Sequence, residues 1–173
     1  MKFNTKQLAF AGVLAAAYAA VTIATASFAY GPIQFRIAEA FAVLCCFTPY
    51  AIPGMVVGCI AANLYSFVSA WDFLIGTSAT LIACLITWRM GRNLDKKPWL
   101  AWLVPLPTIL CNAMIVGAEI AFFFDNERAF LTAWGANALS VGAGEAAVMY
   151  VFGLPLLLWL RKNSTARRGL QAV

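Results

Sequence analysis

Three glutamates, Glu39, Glu119 and Glu145, stand within long apolar runs, with one cation and several amides around them: Arg36, Gln34, Asn63, Asn112 and Asn137. A carboxylate at the centre of a bilayer costs about 2.5–3.5 kcal/mol on insertion scales, so three of them call for a compensating role. Arg36 and Glu39 fall at i and i+3 and project from one helix face. The two oxygens of a carboxylate lie in one plane and accept parallel hydrogen bonds from a ring N–H and an exocyclic amine, as on a guanine-like edge. Tyr30, Phe35, Trp71 and Trp134 offer faces on which a ring can stack. The inventory suits a flat, donor-rich, neutral or cationic ligand and disfavours bulk anion transport. Each group also has a plain structural use: asparagines commonly bond between membrane helices, Arg36 can pair with Glu39 or Glu145 simply to let them be buried, and Glu119 can reach the interface.

Other chemistries fit poorly. There is no histidine, and Cys45, Cys46, Cys59, Cys84 and Cys111 sit in hydrophobic stretches without a Cys-x-x-Cys, which argues against a metal site or redox centre and for free thiols packed as small apolar groups. A membrane enzyme using paired carboxylates as general acid and base would need a nucleophile beside a base, and none is seen, so the chain is not expected to be an enzyme. Gly142-Ala143-Gly144-Glu145 lacks the lysine and the strand context of a phosphate loop. No cofactor is expected in this chain, and any ATP would be used by partner subunits. A proton-coupled secondary transporter of a small heterocyclic or cationic solute, working through Glu119 or Glu145, is the alternative of another class.

The elements that must position these groups follow from composition. Apolar residues make up 63% and charged residues 11%, where soluble domains carry about 45–50% and about 25%. An all-α membrane protein is expected, a single domain over residues 1–173. The apolar runs predict a bundle of six transmembrane helices, near residues 8–28, 35–47, 52–69, 73–88, 103–124 and 141–160, with 129–140 left as a return loop or interfacial helix. Ten of the twelve basic residues then fall on one side, with only Arg36 and Arg128 on the other. The positive-inside rule places both termini in the cytoplasm, in a prokaryotic cytoplasmic membrane. The basic residues read as topology signals, and no nucleic-acid partner is expected. Counting depth at about 1.5 Å per residue, all three glutamates reach the outer third of the bilayer, Glu119 and Glu145 at about 23–24 Å from the inner ends of their spans.

The first span carries two rows of small residues at four-residue spacing, Gly12, Ala16 and Ala20 in one and Ala11, Ala15 and Ala19 in the other. Either row permits close helix packing, inside the bundle or against another protein.

The segment Tyr30-Gly31-Pro32-Ile33-Gln34-Phe35-Arg36-Ile37-Ala38-Glu39-Ala40, the alanine-rich first helix and the glutamate after Gly142-Ala143-Gly144 together resemble the QueT family, the substrate-binding S components of energy-coupling factor (ECF) transporters for queuosine precursors. The resemblance covers most of the chain. It implies an ECF S-component-like fold and a 7-deazaguanine ligand, such as 7-aminomethyl- or 7-cyano-7-deazaguanine, bound near the outer face. It also implies partners: a transmembrane coupling protein (EcfT-type), docked on one of the two small-residue rows, and two cytoplasmic ATPases. In this frame Gly31-Pro32 starts a lid and the stretch from Gln34 to Glu39 forms one wall of the pocket. Glu145 or Glu39 reads the guanine edge, Glu119 or an asparagine meets the rest, and Arg36 is a structural counter-ion.

Overall fold

The computed structural model describes residues 4–29, 33–65, 72–125 and 129–173. Among them every regular element is helical, and the protein is an all-α membrane protein. Tyr30, Gly31, Pro32 and Trp71 lie outside the described residues. Four stretches are long and apolar enough to cross a membrane, Thr5–Ala24, Phe73–Gly91, Pro98–Phe123 and Phe130–Lys162, and two shorter apolar helices, Ile37–Cys46 and Ala51–Leu64, lie between the first two. The burial pattern is that of a chain in lipid. Leu8, Val13, Leu64, Leu131 and Leu139 are exposed, whereas Arg36, Glu39, Asn63, Asn112 and Glu145 are buried.

Helix α1 (Thr5–Ala24) starts at a reciprocal cap, with the Gln7 amide donating to Asn4 Oδ1 at 2.8 Å and the Asn4 amide to Gln7 Oε1 at 2.9 Å. The single turn α2 (Ala26–Ala29) follows it. Helix α3 (Ala51–Tyr65) runs parallel to α1, fitted against it through two glycines. A Cβ on Gly54 would come 2.9 Å from the Ala11 carbonyl oxygen, and one on Gly58 would come 2.8 Å from that of Ala15 and 2.7 Å from Tyr18 Cβ. Absence of side-chain bulk at these two positions is what allows the backbones to meet.

Between them runs a ten-residue 3₁₀ helix, Ile37–Cys46, which is long for its kind. Its rise of about 2.0 Å per residue carries the chain about 20 Å, where an α-helix of the same length would cover about 15 Å. The tighter winding thus extends a segment that the sequence marks as short for a crossing. It also eclipses side chains three apart, so that Glu39, Ala42 and Cys45 form one fully buried edge, with Arg36 buried at the N-cap. This helix meets α4 (Asp72–Gly91) at its C-terminal end, where a Cβ on Gly91 would fall 2.3 Å from the Cys46 carbonyl oxygen.

The fifth run is helical throughout but not uniformly α. A turn at Pro98–Trp102 leads to α5 (Leu106–Cys111), a π turn at Asn112–Val116, and α6 (Gly117–Phe123). The last run departs from expectation. Residues 129–140 are neither a return loop nor a separate interfacial helix: α7 (Phe130–Val148) begins at Phe130 and continues through a π turn, Met149–Gly153, into α8 (Leu154–Lys162). No proline interrupts residues 130–154, and α7 is held along its length because Gly117 abuts Ala138 and Gly142 abuts Ala113. At 33 residues the rod is about 50 Å long, more than a hydrocarbon core of about 30 Å. Pro155 accounts for the π turn, since a proline inside a helix has no N–H to donate and crowds the carbonyl four residues earlier. The amphipathic α9 (Ser164–Gln171) closes the chain, with Arg167 paired to Asp95.

Candidate functional site

The buried polar groups gather where α1, the 3₁₀ helix, α3, α4 and α7 meet. Glu39 is the hub. Tyr18 Oη on α1 donates to Glu39 Oε1 at 2.6 Å, and Thr80 Oγ1 on α4 donates to the same oxygen at 2.8 Å. The second oxygen, Oε2, is buried with no hydrogen-bond partner among the described residues. Two hydroxyls therefore fix the carboxylate in orientation and leave one of its oxygens available to something else.

Arg36, 1% exposed, donates from Nη2 to Asn63 Oδ1 on α3. Asn63 Nδ2 in turn donates to Cys59 Sγ at 3.4 Å, and Cys59 Sγ lies 3.5 Å from Thr80 Oγ1. A continuous chain of contacts thus links Arg36 through Asn63, Cys59 and Thr80 to Glu39. Asn63 spends its amide within the bundle. Arg36 is tied to that scaffold through the Asn63 amide oxygen.

Glu145 and Asn112 complete the set from the other half of the molecule. Both are fully buried, and neither the two Glu145 oxygens nor the two Asn112 amide atoms have a hydrogen-bond partner among the described residues. Glu145 lies within electrostatic range of Glu39 and Arg36, and Asn112 faces it without completing a hydrogen bond. Asn112 opens the first π turn, an irregularity that often marks functional positions. The segment leading into the 3₁₀ helix is clamped beside Glu145: a Cβ on Gly144 would lie 2.3 Å from the Gln34 carbonyl oxygen. Here the glycine is required by the close approach of one backbone to another, and that approach brings residues 33–36 across α7 next to its glutamate.

Glu119 stands apart from this group. Gly142 against Ala113 and Gly117 against Ala138 set an antiparallel register that places Glu145 level with Leu110. Glu119, nine residues further along, is therefore about 13 Å towards the junction of α6 and α7. Asn137 is also outlying, where its Nδ2 donates to Asp125 Oδ2 at 3.4 Å and joins the end of α6 to α7. Trp134 stacks on Phe130 with ring centroids 6.2 Å apart and donates from Nε1 to the Met114 carbonyl at 3.1 Å. Phe35 lines an apolar cavity of about 260 Å³ with Phe28, Ile37, Val148 and Phe152. Tyr30 and Trp71, the other aromatic candidates, fall outside the described residues.

Sequence reasoning missed Tyr18, Thr80 and Cys59. Tyr18 carried a signal, as the one large polar side chain among the small residues at the middle of α1. Thr80 and Cys59 carried none, since each is one of many such residues in apolar helices. The two small-residue rows of α1 also part company. Ala11 and Ala15 are buried against α3 and Ala19 is half-buried, whereas Gly12, Ala16 and Ala20 are exposed and a Cβ on Gly12 would meet nothing within 4 Å.

Comparison with known proteins agrees with this architecture. The model of the QueT transporter family matches residues 8–162. The chain is 31% identical over 157 residues to the queuosine precursor transporter QueT of Lactococcus lactis subsp. cremoris (strain MG1363), covering 87% of this chain and 89% of that protein. No solved structure matches. The match runs from the first turn of α1 to the end of α8, including Arg36, Glu39 and Glu145, and on it the chain belongs to the QueT transporter family, a transporter and not an enzyme.

Proposed function

We propose that the protein is the substrate-binding subunit of an ATP-driven, ECF-type uptake transporter and that it captures a queuosine precursor, a 7-deazaguanine such as its 7-aminomethyl or 7-cyano form, from outside the cell. The observation that carries this reading is the cluster of buried acceptors and donors without hydrogen-bond partners among the described residues: Glu39 Oε2, both oxygens of Glu145 and both amide atoms of Asn112. An unsatisfied buried polar group costs about 1–3 kcal/mol, more when charged, so a cluster of them is retained where a ligand supplies the missing bonds. Glu145 takes the N1–H and exocyclic amine of the guanine edge, Asn112 pairs with the adjoining ring atoms, and Glu39 Oε2 receives a further donor. Gln34 and Arg36 form the wall beside them, with Tyr30 and Trp71 as stacking surfaces. Asn63 braces Arg36 in that wall, whereas Glu119 and Asn137 lie outside the cluster.

In this reading six segments cross the cytoplasmic membrane with both termini inside, the 3₁₀ helix and α3 being the short second and third crossings. A transmembrane coupling protein and two cytoplasmic ATPases supply the energy, and the coupling protein docks on the Gly12, Ala16 and Ala20 row. Support comes from the exposure of that row and from the absence of a phosphate loop in the sequence.

The test is binding of 7-aminomethyl-7-deazaguanine to the purified chain by isothermal titration calorimetry, with Glu39→Gln, Glu145→Gln and Asn112→Ala variants. Loss of affinity in the glutamate variants is expected. Unchanged affinity in both would overturn the pocket.

A further inference from the structure

The inner end of α4 carries a second feature that the substrate pocket does not use. Ile86, Arg89, Met90, Asn93, Lys97 and Trp99 line a groove of about 390 Å³, and a neighbouring cavity of about 380 Å³ is lined by Arg89, Arg92, Asn93 and Lys96. Because Arg89 and Asn93 belong to both, the two form one continuous depression. No acidic side chain lines either part, and the nearby Asp95 is engaged by Arg167. Among the described residues none of Arg89, Arg92, Lys96 and Lys97 forms an ion pair; Arg92 instead lies over the Trp88 ring at 5.8 Å.

The depression has two chemically different ends. Towards the membrane, Ile82, Ile86 and Met90 succeed one another at four-residue spacing on α4, with both isoleucines exposed. Towards water stand the four cations and the Asn93 amide. Trp99 and Trp102, 58% and 60% exposed, mark the level between them, since tryptophans settle at the boundary of hydrocarbon and headgroups. A soluble anion would use only the basic end. A molecule with a phosphate at one end and a hydrocarbon chain at the other fits both.

We infer that this groove is a binding site for an anionic phospholipid, with the phosphate among Arg89, Asn93 and Lys97 and an acyl chain along Ile86 and Ile82. Basic pockets at the membrane surface hold anionic headgroups in this manner. Beyond marking topology, the basic loop then anchors α4 in a defined position relative to the bilayer.

Native mass spectrometry of the full chain in mild detergent, incubated with phosphatidylglycerol or with phosphatidylcholine, tests the site. Phosphatidylglycerol is expected to be retained preferentially. Each basic group near an anionic surface contributes about fivefold, so Arg89→Gln/Lys97→Gln should weaken retention by about 25-fold. The control Lys162→Gln/Arg168→Gln, with the same loss of charge, should leave it largely unchanged. All four side chains are exposed, and thermal unfolding is the check that both variants are folded. Equal retention of the two lipids, an equal loss in the control, or displacement of phosphatidylglycerol by millimolar inorganic phosphate would each overturn the assignment.

Discussion

Glu145 and Tyr18 lie in one buried cluster, yet the structure gives them opposite kinds of work. Glu145 has neither oxygen bonded to a described residue, and Tyr18 is committed to Glu39. Replacing Glu145 by Gln keeps the shape, removes the charge and turns one acceptor into a donor. With charge-assisted hydrogen bonds contributing about 1.5–3 kcal/mol, the loss of affinity for a 7-deazaguanine should be about 100-fold. Stability without ligand should change little, because neither Glu145 oxygen makes a hydrogen bond to a described residue that the substitution would remove. Titration calorimetry and thermal unfolding in detergent read the two effects separately. Tyr18→Phe should behave in the reverse sense. Glu39 Oε1 keeps only Thr80, and stability should fall by about 1–3 kcal/mol while affinity changes less than in Glu145→Gln. A Tyr18→Phe protein with full stability and no binding would instead make the hydroxyl a direct ligand contact.

At the level of elements, glycines decide which helices can meet, and two on α7 make a matched pair. Gly144 receives the backbone of Gln34, while a Cβ on Gly135 would meet nothing within 4 Å. Gly144→Ala should therefore push residues 33–36 off α7, with a cost of about 1–3 kcal/mol and loss of binding. Gly135→Ala should be neutral or stabilising by up to about 1 kcal/mol through helix propensity. Thermal unfolding and calorimetry on the two variants check the contrast. The same elements show what was legible beforehand. Arg36 and Glu39 at i and i+3 predicted a shared face; in the structure Arg36 is the buried N-cap outside the 3₁₀ winding, and the residues that the three-residue repeat aligns are Glu39, Ala42 and Cys45. Apolar runs located the helices. Hydropathy could not reveal that residues 129–140 continue α7, because the length rule assumes a helix that ends with the membrane. Depth counting likewise placed Glu119 level with Glu145, since it assumes straight spans with known ends. The glycine contacts, which set the register, separate the two by about 13 Å.

For the whole molecule the question is how a filled pocket leads to uptake, and α1 connects the two ends of that problem. One face holds Ala11, Ala15 and Tyr18 against α3 and Glu39; the opposite face shows Gly12, Ala16 and Ala20 to the outside. Among the described residues a Cβ on Gly12 meets nothing within 4 Å and Ala16 is exposed, so Gly12→Leu/Ala16→Leu should fold normally and bind 7-aminomethyl-7-deazaguanine with unchanged affinity. If the row is where the coupling protein docks, uptake by vesicles containing the complete ATP-driven assembly should be abolished, because side-chain bulk prevents close helix approach. The buried carboxylates also permit the competing scheme in which protons drive transport through Glu145. The two schemes diverge in vesicles containing this chain alone. A proton-coupled carrier would accumulate substrate under a pH gradient and would be indifferent to Gly12→Leu/Ala16→Leu, whereas an ATP-coupled subunit would bind substrate without accumulating it until its partners and ATP were supplied. Accumulation by the lone chain under a pH gradient would therefore move the energy source from the partners to the glutamates and leave the pocket assignment intact.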